Sequence, residues 1–266
     1  MKTALTIAGF DPSSGAGITA DLMVFAAHGH FGTSAITSLT VQSTLGVRAS
    51  QPVPAELLRD TLDCLHEDLP PDGVKIGMLD TAEIVATLAD YLERLSAERP
   101  GTPIVLDPVL RSSSGRELLS AEGLILLRDR LLPLVGWITP NLDELSLLTG
   151  LPVTSRAEVE PAASALQIRW PQLNVLATGG HLPQPDDLVL PSASSQAHWI
   201  PGEMIESRST HGTGCALSSA LLSRLLLGDD PLAAATQAKH YVAGAIREAN
   251  PIGHGRGPLN HLWVQR

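Results

Sequence analysis

Short apolar runs alternate along this chain with longer amphipathic stretches, and few features restrict a fold more tightly. The runs Ala4–Ala8, Ser34–Leu39, Gly73–Ile76, Pro103–Leu106, Gly136–Thr139 and Asn174–Ala177 are too short for helices and too continuously apolar for half-exposed strands. They suit parallel strands buried on both faces. The stretches between them, near Gly17–His28, Pro54–Leu69, Ala82–Ala97, Ala121–Leu132, Leu142–Thr149 and Ala157–Trp170, carry apolar residues at helical spacing. Repeated βα units of this kind build an α/β fold, and we expect a three-layer α/β/α sandwich around a mostly parallel central sheet. Beyond Gly180 the pattern changes to Asp187–Leu190 and Ala197–Ile200, which reads as an antiparallel edge hairpin. Pro183–Pro191 reads as a surface loop, and helices near Thr213–Leu227 and Pro231–Ala249 close the chain, with Gly228 as a stop signal. No repeat or linker interrupts the 266 residues, so 1–266 is expected to be a single domain.

A net charge of −10 with only 18 Lys and Arg argues against a nucleic-acid surface, which needs clustered cations. An anionic ligand would have to be held locally, by a metal ion or by backbone N–H groups. Cys64 and Cys215 are isolated in sequence, suggesting neither a disulfide framework nor a zinc site. The apolar stretch Ala4 to Phe10 is too short for a signal-peptide core, and Leu124 to Val135 and Leu221 to Leu227 are broken or too short to span a bilayer. A cytoplasmic protein without membrane contact is the expectation.

Two glycine-rich segments point to a site. Thr210-His211-Gly212-Thr213-Gly214-Cys215-Ala216 precedes an apolar helix, so its glycines permit close approach while the first-turn N–H groups remain free to hold an anion. Such fixed donors are what phosphoryl transfer requires of a protein. A ligand-free turn is the structural alternative. Gly9 to Asp21 joins the first strand to the first helix, at the sheet edge where open α/β folds bind ligands. Its glycines do not have dinucleotide spacing, and no G-x-x-x-x-G-K-[ST] occurs in the chain. Asp21, taken alone, reads as a first-turn carboxylate complementing the helix dipole.

These segments occur in one order with Val41-Gln42-Ser43-Thr44, Lys75-Ile76-Gly77-Met78-Leu79, Asp107-Pro108-Val109, Thr139-Pro140-Asn141-Leu142-Asp143-Glu144 and Gly179-Gly180-His181. Together they resemble the hydroxymethylpyrimidine and phosphomethylpyrimidine kinases of thiamine biosynthesis, a ribokinase-like family, and the likeness continues to Gly257-Pro258-Leu259-Asn260-His261. The resemblance implies an ATP- and Mg²⁺-dependent phosphotransferase acting on a small pyrimidine, and a homodimer. It implies a substrate site of Gly9, Asp21, Gln42, Met78 and Val109, in which Met78 and Val109 wall a flat ring and Gln42 and Asp21 match its polar edge. Core filling by Met78 and loop capping by Gln42 are the structural alternatives. It further implies nucleotide contacts at Asn141, Thr178, Gly180, His211 and Lys239, and a catalytic turn of Gly212, Thr213, Gly214 and Cys215. Asp107 and Glu144 match the acidic positions of the metal and phosphate region. For Glu144 a helix-start carboxylate is the structural alternative.

Where the family has lysine before Gly-Gly-His this chain has Thr178, and the second family lysine, before Ser-Gly, is replaced by Ser113, with Arg111 two positions earlier. At position 215 many ribokinase-like enzymes have an Asp base, and the pyrimidine branch has Cys. A helix N-terminus should lower the thiol pKa toward neutrality, so that Cys215 could serve as base. Pyridoxal kinase on the same scaffold and a weakly catalytic pyrimidine-binding homologue are the alternative readings.

Overall fold

The computed structural model describes residues 1–265 apart from 112–114, 181, 193 and 195. In chain order its elements are β1 (Thr3–Phe10), α1 (Gly17–Ala27), β2 (Phe31–Ser43), β3 (Gly46–Pro52), α2 (Ala55–Asp68), β4 (Gly73–Ile76), α3 (Ala82–Glu98), β5 (Ile104–Leu106), α4 (Ala121–Leu126) and β6 (Trp137–Ile138). There follow α5 (Leu142–Thr149), α6 (Arg156–Arg169), β7 (Asn174–Ala177), β8 (Asp187–Leu190), β9 (His198–Ile200), α7 (Thr213–Leu226) and α8 (Pro231–Arg247). The described strands form one sheet in the order β3-β2-β1-β4-β5-β6-β7-β8-β9. From β2 to β7 all neighbours are parallel.

Alternate strand residues feed opposite cores, as a period of two requires. Leu5 and Ile7 of β1 and Ile104 and Leu106 of β5 join the buried residues of α2 to α6 on one face. Ala4 and Val105 point the other way, to α1, α7 and α8. The expected sandwich is therefore present, with the β8–β9 hairpin at one edge. The other edge departs from expectation, because β2 runs on to Ser43 and turns back as antiparallel β3. β3 reads Gly-Val-Arg-Ala-Ser-Gln-Pro, too polar to show as a buried strand, and it places Gln42 in a strand rather than a loop. The helix expected to reach Leu132 is α-helical only to Leu126. It continues as a π turn and then a 3-10 turn containing Pro133, whose ring cannot donate to a regular ladder.

The C-terminal strand ends are tied side by side. Gly77 N–H donates to Ile7 O, Asp107 N–H to Ile76 O, Thr139 N–H to Leu106 O and Thr178 N–H to Pro140 O. That row carries the motif residues onto one edge of the sheet, where open α/β folds bind ligands.

Candidate active site

The α7 N-terminus closes over this edge. Gly212 caps the helix at φ +85°, and a Cβ there would lie 1.9 Å from Gly15 O, so only glycine lets the turn rest on the β1–α1 loop. Gly212 O accepts from Ala216 N–H at 2.9 Å, leaving the amides of Thr213, Gly214 and Cys215 outside the helical ladder. Asp107 lies against this turn: a Cβ on Gly214 would be 3.6 Å from its Oδ2, and Ser218 Oγ donates to the same oxygen at 3.3 Å. Burial raises the Asp107 pKa, Lys75 opposes the rise, and Asp21 adds to it.

The thiol expectation is corrected. Burial pushes Cys215 up to about 12, Lys75 lowers it only in part, and Asp107 and Asp21 push it further up. Desolvation outweighs the helix terminus, so the shift runs opposite to the expected direction.

Asp21 is also reassigned. It is fully buried, its Oδ2 accepting from Thr6 Oγ1 at 2.6 Å and its Oδ1 from Ser219 Oγ at 2.8 Å, with Lys75 Nζ bound to both oxygens at 2.8 and 3.0 Å. No oxygen is left over for a pyrimidine edge. Burial works against the Lys75 charge, yet Asp21, Cys215 and Asp107 hold its pKa above the ordinary lysine value. Lys75, not among the residues expected at the site, does carry a signal in the sequence, being a lone cation within the apolar strand Gly73–Ile76.

Asp11, likewise missed, organises the β1–α1 loop. Its Oδ1 accepts from Ser13 N–H and Oγ–H, and its Oδ2 from Ala16 N–H at 3.0 Å and His211 Nε2–H at 2.7 Å. Burial would raise its pKa, but the bonds from His211 and Ser13 hold it below the usual range. His211 is thus drawn to the substrate loop. Gln42 Nε2 lies 3.0 Å from the same His211 nitrogen. Because that nitrogen's hydrogen goes to Asp11, the better arrangement turns the amide so that Oε1 faces the ring and the NH₂ donates to Thr40 Oγ1. Met78, 8% exposed, packs on Gly9, where an added Cβ would meet its Sδ at 3.0 Å. Val109 follows two residues after Asp107, its N–H donating to Asp107 O at 2.8 Å.

The side chains expected to meet a nucleotide are engaged in the fold. Asn141 caps α5, its Oδ1 accepting from Glu144 N–H while Glu144 Oε2 accepts from Asn141 N–H, each at 2.9 Å. Glu144 is therefore a capping-box residue as well as an acid near the site. Burial and then the Asp107 charge raise its pKa, and two buried carboxylates that repel one another would be relieved by a cation. Lys239 pairs with Asp187 at 2.9 Å and donates to Pro185 O at 2.6 Å, so its ammonium is held by the protein. Asn141 and Thr178 form a parallel bridge, and a Cβ on Gly180 would meet nothing within 4 Å, which leaves room for a ligand. Arg111 pairs with Glu117 at 3.6 Å; Ser113 and His181 lie outside the described residues. Among the described residues no group of three or more His, Cys, Asp or Glu could hold a metal ion. Asp107 and Glu144 suit Mg²⁺, which takes one or two carboxylates and completes its shell with water and phosphate.

A family model described as phosphomethylpyrimidine kinase matches residues 11–260. The hydroxymethylpyrimidine/phosphomethylpyrimidine kinase of Streptomyces coelicolor is 40% identical over 260 residues, covering 98% of this chain and 94% of its own. The crystal structure of Clostridium difficile phosphomethylpyrimidine kinase matches at TM-score 0.80 and 34% identity, over 92% of this chain and 100% of that one. Bacillus subtilis pyridoxal kinase, in its ADP complex, matches at TM-score 0.88 and 30% identity, over 100% and 99%. Matches that run the length of the chain at this identity decide its kinship: it belongs to the phosphomethylpyrimidine kinase family and has a ribokinase-like α/β fold.

Proposed function

We propose that this chain, acting over 1–266 as one kinase domain, transfers the γ-phosphoryl group of ATP to the hydroxymethyl oxygen of 4-amino-5-hydroxymethyl-2-methylpyrimidine, and then phosphorylates the monophosphate. The observation that carries the reading is the packing of the α7 turn on the β1–α1 loop through Gly212 and Gly15. The amides at that turn, in this reading, face the wall made by Gly9 and Met78. In this reading the pyrimidine lies on Met78 and Val109 with Gln42 at its edge. The transferring phosphoryl group sits at the amides of Thr213, Gly214 and Cys215, and ATP extends past Asn141, Thr178 and Gly180. Asp107 and Glu144 would hold Mg²⁺, which neutralises phosphate charge when bound. The attacking oxygen bonds phosphorus as the bond to the ADP oxygen breaks. In this reading the hydroxyl proton leaves late and passes to an oxygen of the transferred phosphoryl group rather than to Cys215, as a loose transition state permits.

Pyridoxal kinase is the second reading, favoured by the match to the Bacillus subtilis enzyme over the whole chain. We further propose a homodimer formed through the outward face of the β2–β3 ribbon, where Leu39 and Val41 are 49% and 59% exposed; large exposed apolar patches mark interaction sites. Among the described residues no helix is long and apolar enough to cross a membrane; a cytoplasmic location remains part of the proposal. The test is ADP release with Mg·ATP and, in separate reactions, the pyrimidine, its monophosphate and pyridoxal. The pyrimidine is expected to give the highest kcat/KM. Preference for pyridoxal would select the second reading, and pyrimidine binding without ADP release would select a binding homologue.

A further inference from the structure

Lys75 and Asp21 form an ion pair with both side chains fully buried. A buried pair is weak evidence for stability, because desolvation offsets most of the attraction, so its placement asks for another explanation. Asp21 sits on α1 and takes bonds from β1 through Thr6, from β4 through Lys75 and from α7 through Ser219. The preceding residue, Ser218, donates to Asp107. Two consecutive serines thus fasten α7 to two acids, one turn below Gly214 and Cys215. Lys75 Nζ lies only 3.0 Å from the position of a Cβ on Gly77, so the ammonium folds toward the C-terminal end of β4, under the candidate site. There it meets a difficulty the site creates for itself. The Asp107 carboxylate lies against Gly214, where its charge would repel an incoming phosphoryl group. With Asp21 bound to Ser219 of α7 and the Lys75 ammonium beside Gly77, the pair sits directly beneath the helix that begins at this turn.

We propose that Lys75 and Asp21 are positioning residues for phosphoryl transfer: through Ser219 they fix α7 against the sheet, and the Lys75 ammonium keeps a positive charge beneath the anion hole. The inference rests on reading the α7 N-terminus as the phosphate site. Both side chains are fully buried, out of reach of substrate, so their influence should grow as charge develops on the transferring group and should appear in kcat rather than KM.

The test uses the full-length enzyme with Lys75→Met and Asp21→Asn combined, which removes both charges while leaving an amide whose oxygen accepts from one of the Thr6 and Ser219 hydroxyls and whose NH₂ donates to the other. Melting and circular dichroism establish folding. Titration with Mg·ADP plus aluminium fluoride, compared with Mg·ADP alone, reads affinity for a transition-state mimic. The double variant is expected to lose about 30-fold in kcat and a similar factor in fluoride-complex affinity, with KM and Mg·ADP affinity within about threefold. A folded variant with wild-type kcat and fluoride affinity overturns the proposal. Ser219→Ala keeps both charges and removes only the tether; a loss of about fivefold in kcat, restored by Ser219→Thr, is expected. If the double variant does not fold, unchanged kcat in Ser219→Ala overturns the proposal instead. Failure of the wild type to bind the fluoride complex would contradict the phosphate reading itself, a separate outcome.

Discussion

The two ends of the candidate site are built differently. At the α7 turn, backbone amides remain outside the helical ladder, and the buried Lys75, Asp21 and Asp107 are tied to the helix one turn below them. At the end expected to hold the nucleotide, the side chains named from sequence are already engaged: Asn141 and Glu144 in a capping box, Lys239 with Asp187 and Pro185. One end is prepared to stabilise charge, and the other offers shape, backbone and open space such as that above Gly180. Substitutions at the first should therefore change turnover, and substitutions at the second should first change stability.

The largest effect should come from Gly212→Ala. Its positive φ costs about 1–2 kcal/mol for any L residue, and the new methyl would collide with Gly15 O. Displacing the turn should lower kcat by roughly 10²–10³-fold, the range for losing a preorganised oxyanion donor; steady-state kinetics on folded protein would show it, and near-normal kcat would remove the turn from the chemistry. Next is Lys239→Met, which strands the buried Asp187. It should cost about 3 kcal/mol in denaturant unfolding. A tenfold rise in KM for ATP at unchanged stability would mean instead that Lys239 leaves Asp187 to bind nucleotide.

A third effect sharpens the contrast through His261, 3% exposed near the β1–α1 loop. Burial pulls its pKa down from 6.5 to about 4. Between those values the unfolded chain binds a proton that the folded one does not. Its contribution is therefore full above pH 6.5 and is lost as pH falls toward 4. Wild type should lose about 2 kcal/mol more than His261→Asn between pH 7 and 5; parallel urea curves for the two proteins would contradict the assignment. The smallest effect belongs to Cys215→Ala. With the thiol neutral, kcat should stay within about threefold of wild type. A fall of 10²-fold that is steepest at neutral pH would restore Cys215 as base.

The sheet, its two faces and the closing helices were legible because strand and helix periods recur along the chain. The polar β3 was not, since Arg48, Ser50 and Gln51 give no apolar alternation to read. In the site, glycine spacing and motif order led to the α7 turn and the strand-end acids. The sequence could not tell that Asp21 faces inward, because a first-turn carboxylate looks the same whether solvated or paired with a lysine 54 positions away. Nor could it weigh the burial of Cys215 against its helix terminus, since burial is a property of the packed core.

Phosphorus NMR of the full chain incubated with Mg·ATP and 4-amino-5-hydroxymethyl-2-methylpyrimidine tests the central claim most directly. The account predicts a phosphomonoester signal appearing as ADP forms, one ester per ADP, followed by a diphosphate ester as the monophosphate is consumed. ADP formed only alongside inorganic phosphate, or an ester formed with pyridoxal and not with the pyrimidine, would contradict it.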